Sequence, residues 1–130
     1  MSGVKPTVAI LGASTDRKKY GNKSIRAHLE QGYEVFPVNP TAGEVEGLKA
    51  YPRLADVPAA RLDRVSVYLP PQIGIGVLDQ IAAKQPKEVW FNPGSESPEL
   101  IEKAEALGLP VIMACSIMAV GARPSDFSDQ

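Results

Sequence analysis

Apolar positions in this chain fall in short runs that stop abruptly. Val8-Ala9-Ile10-Leu11 ends in Gly12-Ala13-Ser14. Three other runs end in Pro: Phe36-Pro37-Val38-Asn39-Pro40, Val67-Tyr68-Leu69-Pro70-Pro71 and Trp90-Phe91-Asn92-Pro93-Gly94. Short runs without polar alternation suit strands buried on both faces of a parallel sheet. Pro donates nothing to a sheet ladder, so it ends a strand and stiffens the loop after it. Between the runs, apolar residues recur at helical spacing. The pattern predicts strands over Thr7–Leu11, Tyr33–Val38, Arg64–Leu69, Glu88–Asn92 and Val111–Ala114, with Leu48–Tyr51 as a short edge strand. A first helix is expected over about Asn22–Gln31, with Ile25 and Leu29 facing the sheet and Gly32 at its end. Leu54–Val57 reads as one helical turn. Val77, Leu78, Ile81 and Ala82 place a helix within about Gln72–Lys84. The last helix opens at Ser97-Pro98, an N-cap followed by Pro, and its apolar face carries Leu100, Ile101, Ala104 and Leu107 before Gly108 closes it. From Arg123 the tail is polar and expected to fray.

Strands alternating with helices make an α/β fold: a mostly parallel, doubly wound sheet of five or six strands, covered on both faces. The expected order is 3-2-1-4-5-6, reversing between the first and fourth strands. Gly12–Ser14 and Leu69–Pro71 then sit side by side at the switch point. Open α/β sheets bind ligands there, at the carboxyl ends of the strands.

Composition narrows the function. The length of 130 residues fits one domain spanning 1–130, with a core over about 7–115. A net charge of −1 gives no general attraction for nucleic acid or anionic membrane. No apolar run approaches a membrane span, and Met1–Pro6 lacks the apolar stretch of a signal peptide. A single Cys excludes an intrachain disulfide and a multi-Cys metal site, so the cytosol is the expected compartment. The 12 Pro residues are spread over strand ends and helix starts and read as punctuation, not disorder.

Gly12-Ala13-Ser14 joins a strand to a helix. Amide groups at a helix entrance, with the helix dipole behind them, favour a phosphate. Ser14 adds a hydroxyl, and Arg17, Lys18, Lys19 and Lys23 are near enough in sequence to supply charge. A plain strand–helix turn beside a solvated basic loop would look the same. The loop is not the dinucleotide fingerprint, because Ser14 and Arg17 stand where Gly is required. The second strand ends in Asn39, not an acid, which argues against NAD and leaves NADP open. Gly21-Asn22-Lys23-Ser24 lacks the spacing of a P-loop.

Taken in order, Val8–Ser14, Gly32-Tyr33-Glu34-Val35-Phe36-Pro37-Val38-Asn39-Pro40, Gly47-Leu48-Lys49-Ala50-Tyr51-Pro52 and Leu54-Ala55-Asp56-Val57-Pro58 resemble the small stand-alone coenzyme A-binding domain family. More distantly, they resemble the amino-terminal domain of the succinyl-CoA synthetase alpha subunit. The similarity runs from about Val8 to Cys115. It implies a Rossmann-like fold holding coenzyme A, or an acyl-CoA, across the strand ends. Carried over by position, Gly12, Ala13 and Ser14 meet the CoA phosphates, and Asn39 and Pro40 line the nucleotide side. Tyr68, Leu69 and Pro70 contact the adenine or the pantetheine chain, and Asn92, Pro93 and Gly94 flank the pantetheine. Arg17 and Lys23 are the expected basic partners. Two segments depart from the family pattern: Thr41-Ala42 replaces basic residues, and Met113-Ala114-Cys115 lacks an acidic and a basic residue.

Other chemically attractive residues have plainer readings. Cys115 is expected to be a core thiol and His28 a partly covered helix residue. Trp90, Phe91, Met113 and Met118 read as packing residues, and Glu96, Glu99, Glu102 and Glu105 as a solvated helix face. No acid pair, metal set or nucleophile with a base is evident, so the expectation is a ligand-binding module and not an enzyme. The alternatives are an NADP-binding oxidoreductase fragment and a regulatory interaction domain that has lost its ligand. A homodimer is the default assembly.

Overall fold

The computed structural model describes residues 5–130; the reading of the extreme N-terminus falls partly outside them. The elements run β1 (Thr7–Leu11), α1 (Tyr20–Glu30), β2 (Glu34–Val38), β3 (Glu44–Val45), β4 (Leu48–Lys49), β5 (Arg64–Val67), α2 (Pro71–Ile75), α3 (Leu78–Ala83), β6 (Glu88–Phe91), α4 (Pro98–Ala106), β7 (Val111–Ile112) and α5 (Ser116–Ala119). Two 3-10 turns lie at Leu54–Asp56 and Pro124–Asp126. Five strands form one parallel sheet in the order β2-β1-β5-β6-β7. The reversal between β1 and β5 is the expected one.

The sheet is buried on both faces because its strands carry apolar groups at odd and even positions alike. Ala9 and Leu11 of β1 face one core with Val65 and Val67 of β5, Leu78 and Ile81 of α3, and Leu100 and Ala104 of α4. Val8 and Ile10 face the other way, onto Ile25 of α1 and Val35. A third cluster joins Ala27, Ile117 and Phe127.

Several expectations need correction. The edge segment Leu48–Tyr51 is not a strand of the main sheet. Leu48-Lys49 folds back on Glu44-Val45 as a small antiparallel hairpin. Tyr51 pairs with β2 in an isolated parallel bridge to Val38, with its N–H on Pro37 O and its carbonyl accepting from Asn39 N, both at 2.9 Å. The helix expected over Gln72–Lys84 is two short helices. Gly74 and Gly76 weaken the helix, and a Cβ at Gly74 would lie 2.9 Å from Leu100 Cδ1, so close packing on α4 is what this stretch keeps. Strands β5, β6 and β7 stop one or two residues early. Leu29 is 39% exposed, and Met113 and Met118 are exposed rather than packed. Trp90 is half-buried; its ring lies against the Arg64 guanidinium, 4.9 Å from the centroid.

The caps behave as the chemistry dictates. Ser97 Oγ accepts from Leu100 N at 3.1 Å. At the end of α4, Gly108 N bonds Glu105 O and Leu109 N bonds Ala104 O, a Schellman closure. The end of α1 closes in the same way through Gly32 and Tyr33.

The tail is not frayed. Phe127 is buried against Ala27 and Ile117, and Arg26 lies over its ring at 5.6 Å. Beyond it, Ser128 O accepts from Arg26 Nη2 at 2.9 Å, and Asp129 pairs with Lys23 Nζ at 2.7 Å. Apolar anchorage and α1 cations of opposite charge hold a segment that composition alone marked as loose.

Candidate functional site

The site is built where β1 hands over to α1. Gly12 has φ +85°, a left-handed backbone, and a Cβ there would lie 2.4 Å from Tyr68 O. Gly21 lies in the first turn of α1, and its Cβ would fall 2.1 Å from Gly12 O. Two glycines thus let the helix entrance, the β1–α1 loop and the end of β5 lie backbone against backbone. Tyr68 N donates to Leu11 O at 2.9 Å and extends the β1–β5 pairing to this point. Lys19, before α1, is extended, and among the described residues no side chain caps the helix; Asn22 N donates to Lys19 O at 3.1 Å.

Two hollows flank this junction. One, of about 420 Å³, is lined by Gly12, Lys19, Tyr20, Gly21, Tyr68, Leu69, Pro70, Pro71, Pro93, Gly94 and Ser95. The other, of about 280 Å³, is lined by Leu11, Gly12, Ala13, Val38, Asn39, Pro40, Pro52, Arg53, Leu54, Leu69, Ile73, Val77 and Gln80. Gly12 and Leu69 belong to both, so the hollows meet over the switch point. Of the residues singled out from the sequence, Gly12, Ala13, Asn39, Pro40, Tyr68, Leu69, Pro70, Pro93 and Gly94 line one or both.

The remaining four lie differently. Ser14 flanks the loop; its Oγ accepts from Asp16 N at 3.0 Å, and its carbonyl accepts from Asn22 Nδ2 at 2.8 Å. Arg17 pairs with Glu46 (Nε–Oε2 3.2 Å) and donates to Gln130 O. Lys23, on the same side of α1, is held by Asp129. Asn92 is buried beneath the loops: Nδ2 donates to Ser66 Oγ at 2.8 Å and Val67 O at 2.9 Å, and Oδ1 accepts from Ser116 N at 2.8 Å. That network ties the ends of β5 and β6 to α5. Tyr68 joins it through Ser116 Oγ at 3.0 Å, and burial raises its phenol above the ordinary range.

Asn39 braces the loops on its side. Its Nδ2 donates to Ala13 O at 2.8 Å, and its Oδ1 accepts from Thr41 N and Ala42 N, each at 2.8 Å. Sequence reasoning missed Arg53, which the Tyr51 bridge brings beside the end of β2, and Ile73 and Gln80, which α2 and α3 bring to the same wall.

His28 lies away from the hollows and is fully buried, not partly covered. Arg64, which opens β5, donates from Nη1 to His28 Nε2 at 3.2 Å, so the Nδ1–H donates to Ser24 O at 2.8 Å. Burial pushes this histidine down to about 4. Cys115 is half-buried rather than a core thiol, packed beside Ile117 and Phe127. Among the described residues, no group of His, Cys, Asp and Glu could hold a metal ion, and no helix is long and apolar enough to cross a membrane.

Comparison with known proteins adds independent findings. A family described as "CoA binding domain" matches residues 6–122. The alpha subunit of acetate–CoA ligase (ADP-forming) II from Pyrococcus furiosus is 30% identical over 116 residues, covering 81% of this chain and 25% of the subunit. This chain therefore spans about a quarter of that relative. The uncharacterized protein YneT of Bacillus subtilis is 27% identical over 106 residues, covering 82% of this chain and 78% of YneT. The structure of a conserved hypothetical protein from Pyrococcus furiosus superposes with a TM-score of 0.78 at 32% identity, over 89% of this chain and 99% of that one.

Proposed function

The chain belongs to the CoA-binding domain family, and on that premise we propose that it binds coenzyme A or an acyl-CoA across its strand ends without transforming it. One observation carries this reading: two hollows of different character meet at Gly12 and Leu69 over the switch point. Coenzyme A has a flat nucleotide, a diphosphate and a long amide arm. In the proposed pose, the adenosine takes the hollow beside Asn39 and Pro40. The diphosphate crosses Gly12-Ala13-Ser14, where α1 amides and Lys19 favour negative charge. The pantetheine arm follows the second hollow past Tyr68 and Pro70 to Pro93 and Gly94. The joined hollows have the volume of a small-molecule site.

Binding without chemistry is the fitting role because the side chains at these walls do not form an acid–base set. The Tyr68 hydroxyl faces Ser116, and the neutral His28 ring lies elsewhere. The proposed unit is one domain acting in the cytosol.

Calorimetric titration with CoA tests the proposal. Ser14→Asp keeps an acceptor for Asp16 N but sets a carboxylate beside the diphosphate; CoA binding should weaken at least about tenfold. Unchanged binding by this variant would mean that the phosphates lie elsewhere. A wild-type protein that ignores CoA would remove the proposal altogether.

A further inference from the structure

Arg53 is the single charged residue on the wall of the hollow beside β2, among the described residues. Its neighbours there have less to offer an anion. Asn39 uses its amide and its oxygen on the surrounding loops. Gln80 Oε1 accepts from Ala55 N at 3.1 Å, which leaves its –NH2 as the useful end. Of the cations near the β1–α1 loop in sequence, Arg17 and Lys23 are held by Glu46 and Asp129, and Lys19 lines the other hollow.

Arg53 stands free by comparison, with 68% of its side chain accessible. Asp56 holds one edge of the guanidinium, at 3.0 Å from Nη2 to Oδ1 and 3.3 Å from Nε to Oδ2. Among the described residues, Nη1 donates to nothing. An exposed pair of this kind is weak, so a dianion can compete for it.

Resting on the CoA reading above, we propose that Arg53 is a specificity residue: it binds a phosphate carried on the ribose, the 3′-phosphate of coenzyme A. A planar guanidinium matches phosphate oxygens in a two-pronged contact that lysine cannot make. Among the described residues, no carboxylate lines the hollow to accept bare ribose hydroxyls instead. The site thus reads the nucleotide at two places, the diphosphate at the helix entrance and the ribose phosphate at Arg53.

The test is a grid of titrations on the full chain. Wild type, Arg53→Gln and Arg17→Gln are each measured with CoA, dephospho-CoA, NADP and NAD. Wild type should prefer CoA over dephospho-CoA by about tenfold or more. Arg53→Gln should lose that preference by weakening CoA alone; its unchanged hold on dephospho-CoA shows that it is folded. Arg17→Gln should keep the preference. Equal binding of the two ligands by wild type, or a preference that survives Arg53→Gln, would overturn the assignment and leave the CoA reading standing. Binding of NADP without CoA, lost in Arg53→Gln, would uphold Arg53 as the ribose-phosphate contact while removing the CoA reading. Binding of none of the four would end both.

Discussion

Gly21→Ala sets two well-understood effects against each other. Gly21 lies in the first turn of α1, where alanine would ordinarily stabilise the helix by about 0.8–1 kcal/mol. Here the added Cβ falls 2.1 Å from Gly12 O, where contacts essentially never drop below 3.0 Å, so the backbones must part by about 0.9 Å. Neither partner is a flexible side chain that can swing away. Gly12 is itself pressed on Tyr68, so the strain passes on to the end of β5. Overpacking of this order costs about 1–3 kcal/mol, and a contact between rigid backbones belongs at the upper end. The net expectation is a loss of about 2 kcal/mol. For a domain of this size, that lowers the melting temperature by roughly 6–10 °C. Thermal and urea unfolding followed by the fluorescence of Trp90, the one tryptophan, measures it. Calorimetry should show a further loss in CoA affinity, because the helix entrance has shifted from the loop. A variant as stable as wild type, or more so, would show that helix propensity wins and that the backbone stack is soft.

Two other outcomes follow from buried groups. His28 sits below its ordinary value when folded, near 4, so the folded state favours the neutral ring. Its contribution is whole above about pH 6.5 and is lost as pH falls toward 4, by at most about 3 kcal/mol. Urea midpoints should decline over that window in wild type and far less in His28→Gln; parallel curves would refute the assignment. Phe127→Ala removes the apolar anchor of the tail and should cost about 2 kcal/mol, less than a mid-core phenylalanine. Hydrogen exchange should then quicken around Lys23 and Arg26, and unaltered protection would show that the ionic contacts alone hold the segment.

Much of this architecture is written in local pattern. A run such as Val8–Leu11 is apolar at every position because both sheet faces are covered. Ser97-Pro98 and Gly108 mark the ends of α4 through the backbone groups they satisfy. What stayed hidden depends on distant partners. Arg17 and Lys23 are near the phosphate loop in sequence, but Arg17 in the loop and Lys23 on α1 pair with Glu46 and Asp129, which no local rule pairs with them. Asn92 follows a strand as a loop residue should, yet Ser66, Val67 and Ser116 draw its amide inward. Arg53 escaped notice because it reaches the hollow through the Tyr51 bridge, a single pairing that leaves no periodic trace. Met113, just past the edge strand β7, and Met118, on α5, are both exposed.

The single bridge at Tyr51 also bears on how copies of this protein tolerate crowding. Residue 37 faces the outer border of β2, and being proline it offers no N–H there; its carbonyl is already taken by Tyr51, as is the amide of Asn39. The opposite border, β7, is two residues long. A neighbouring molecule looking for a strand to pair with finds a ladder missing most of its rungs, which guards the sheet against growing into fibres at high concentration.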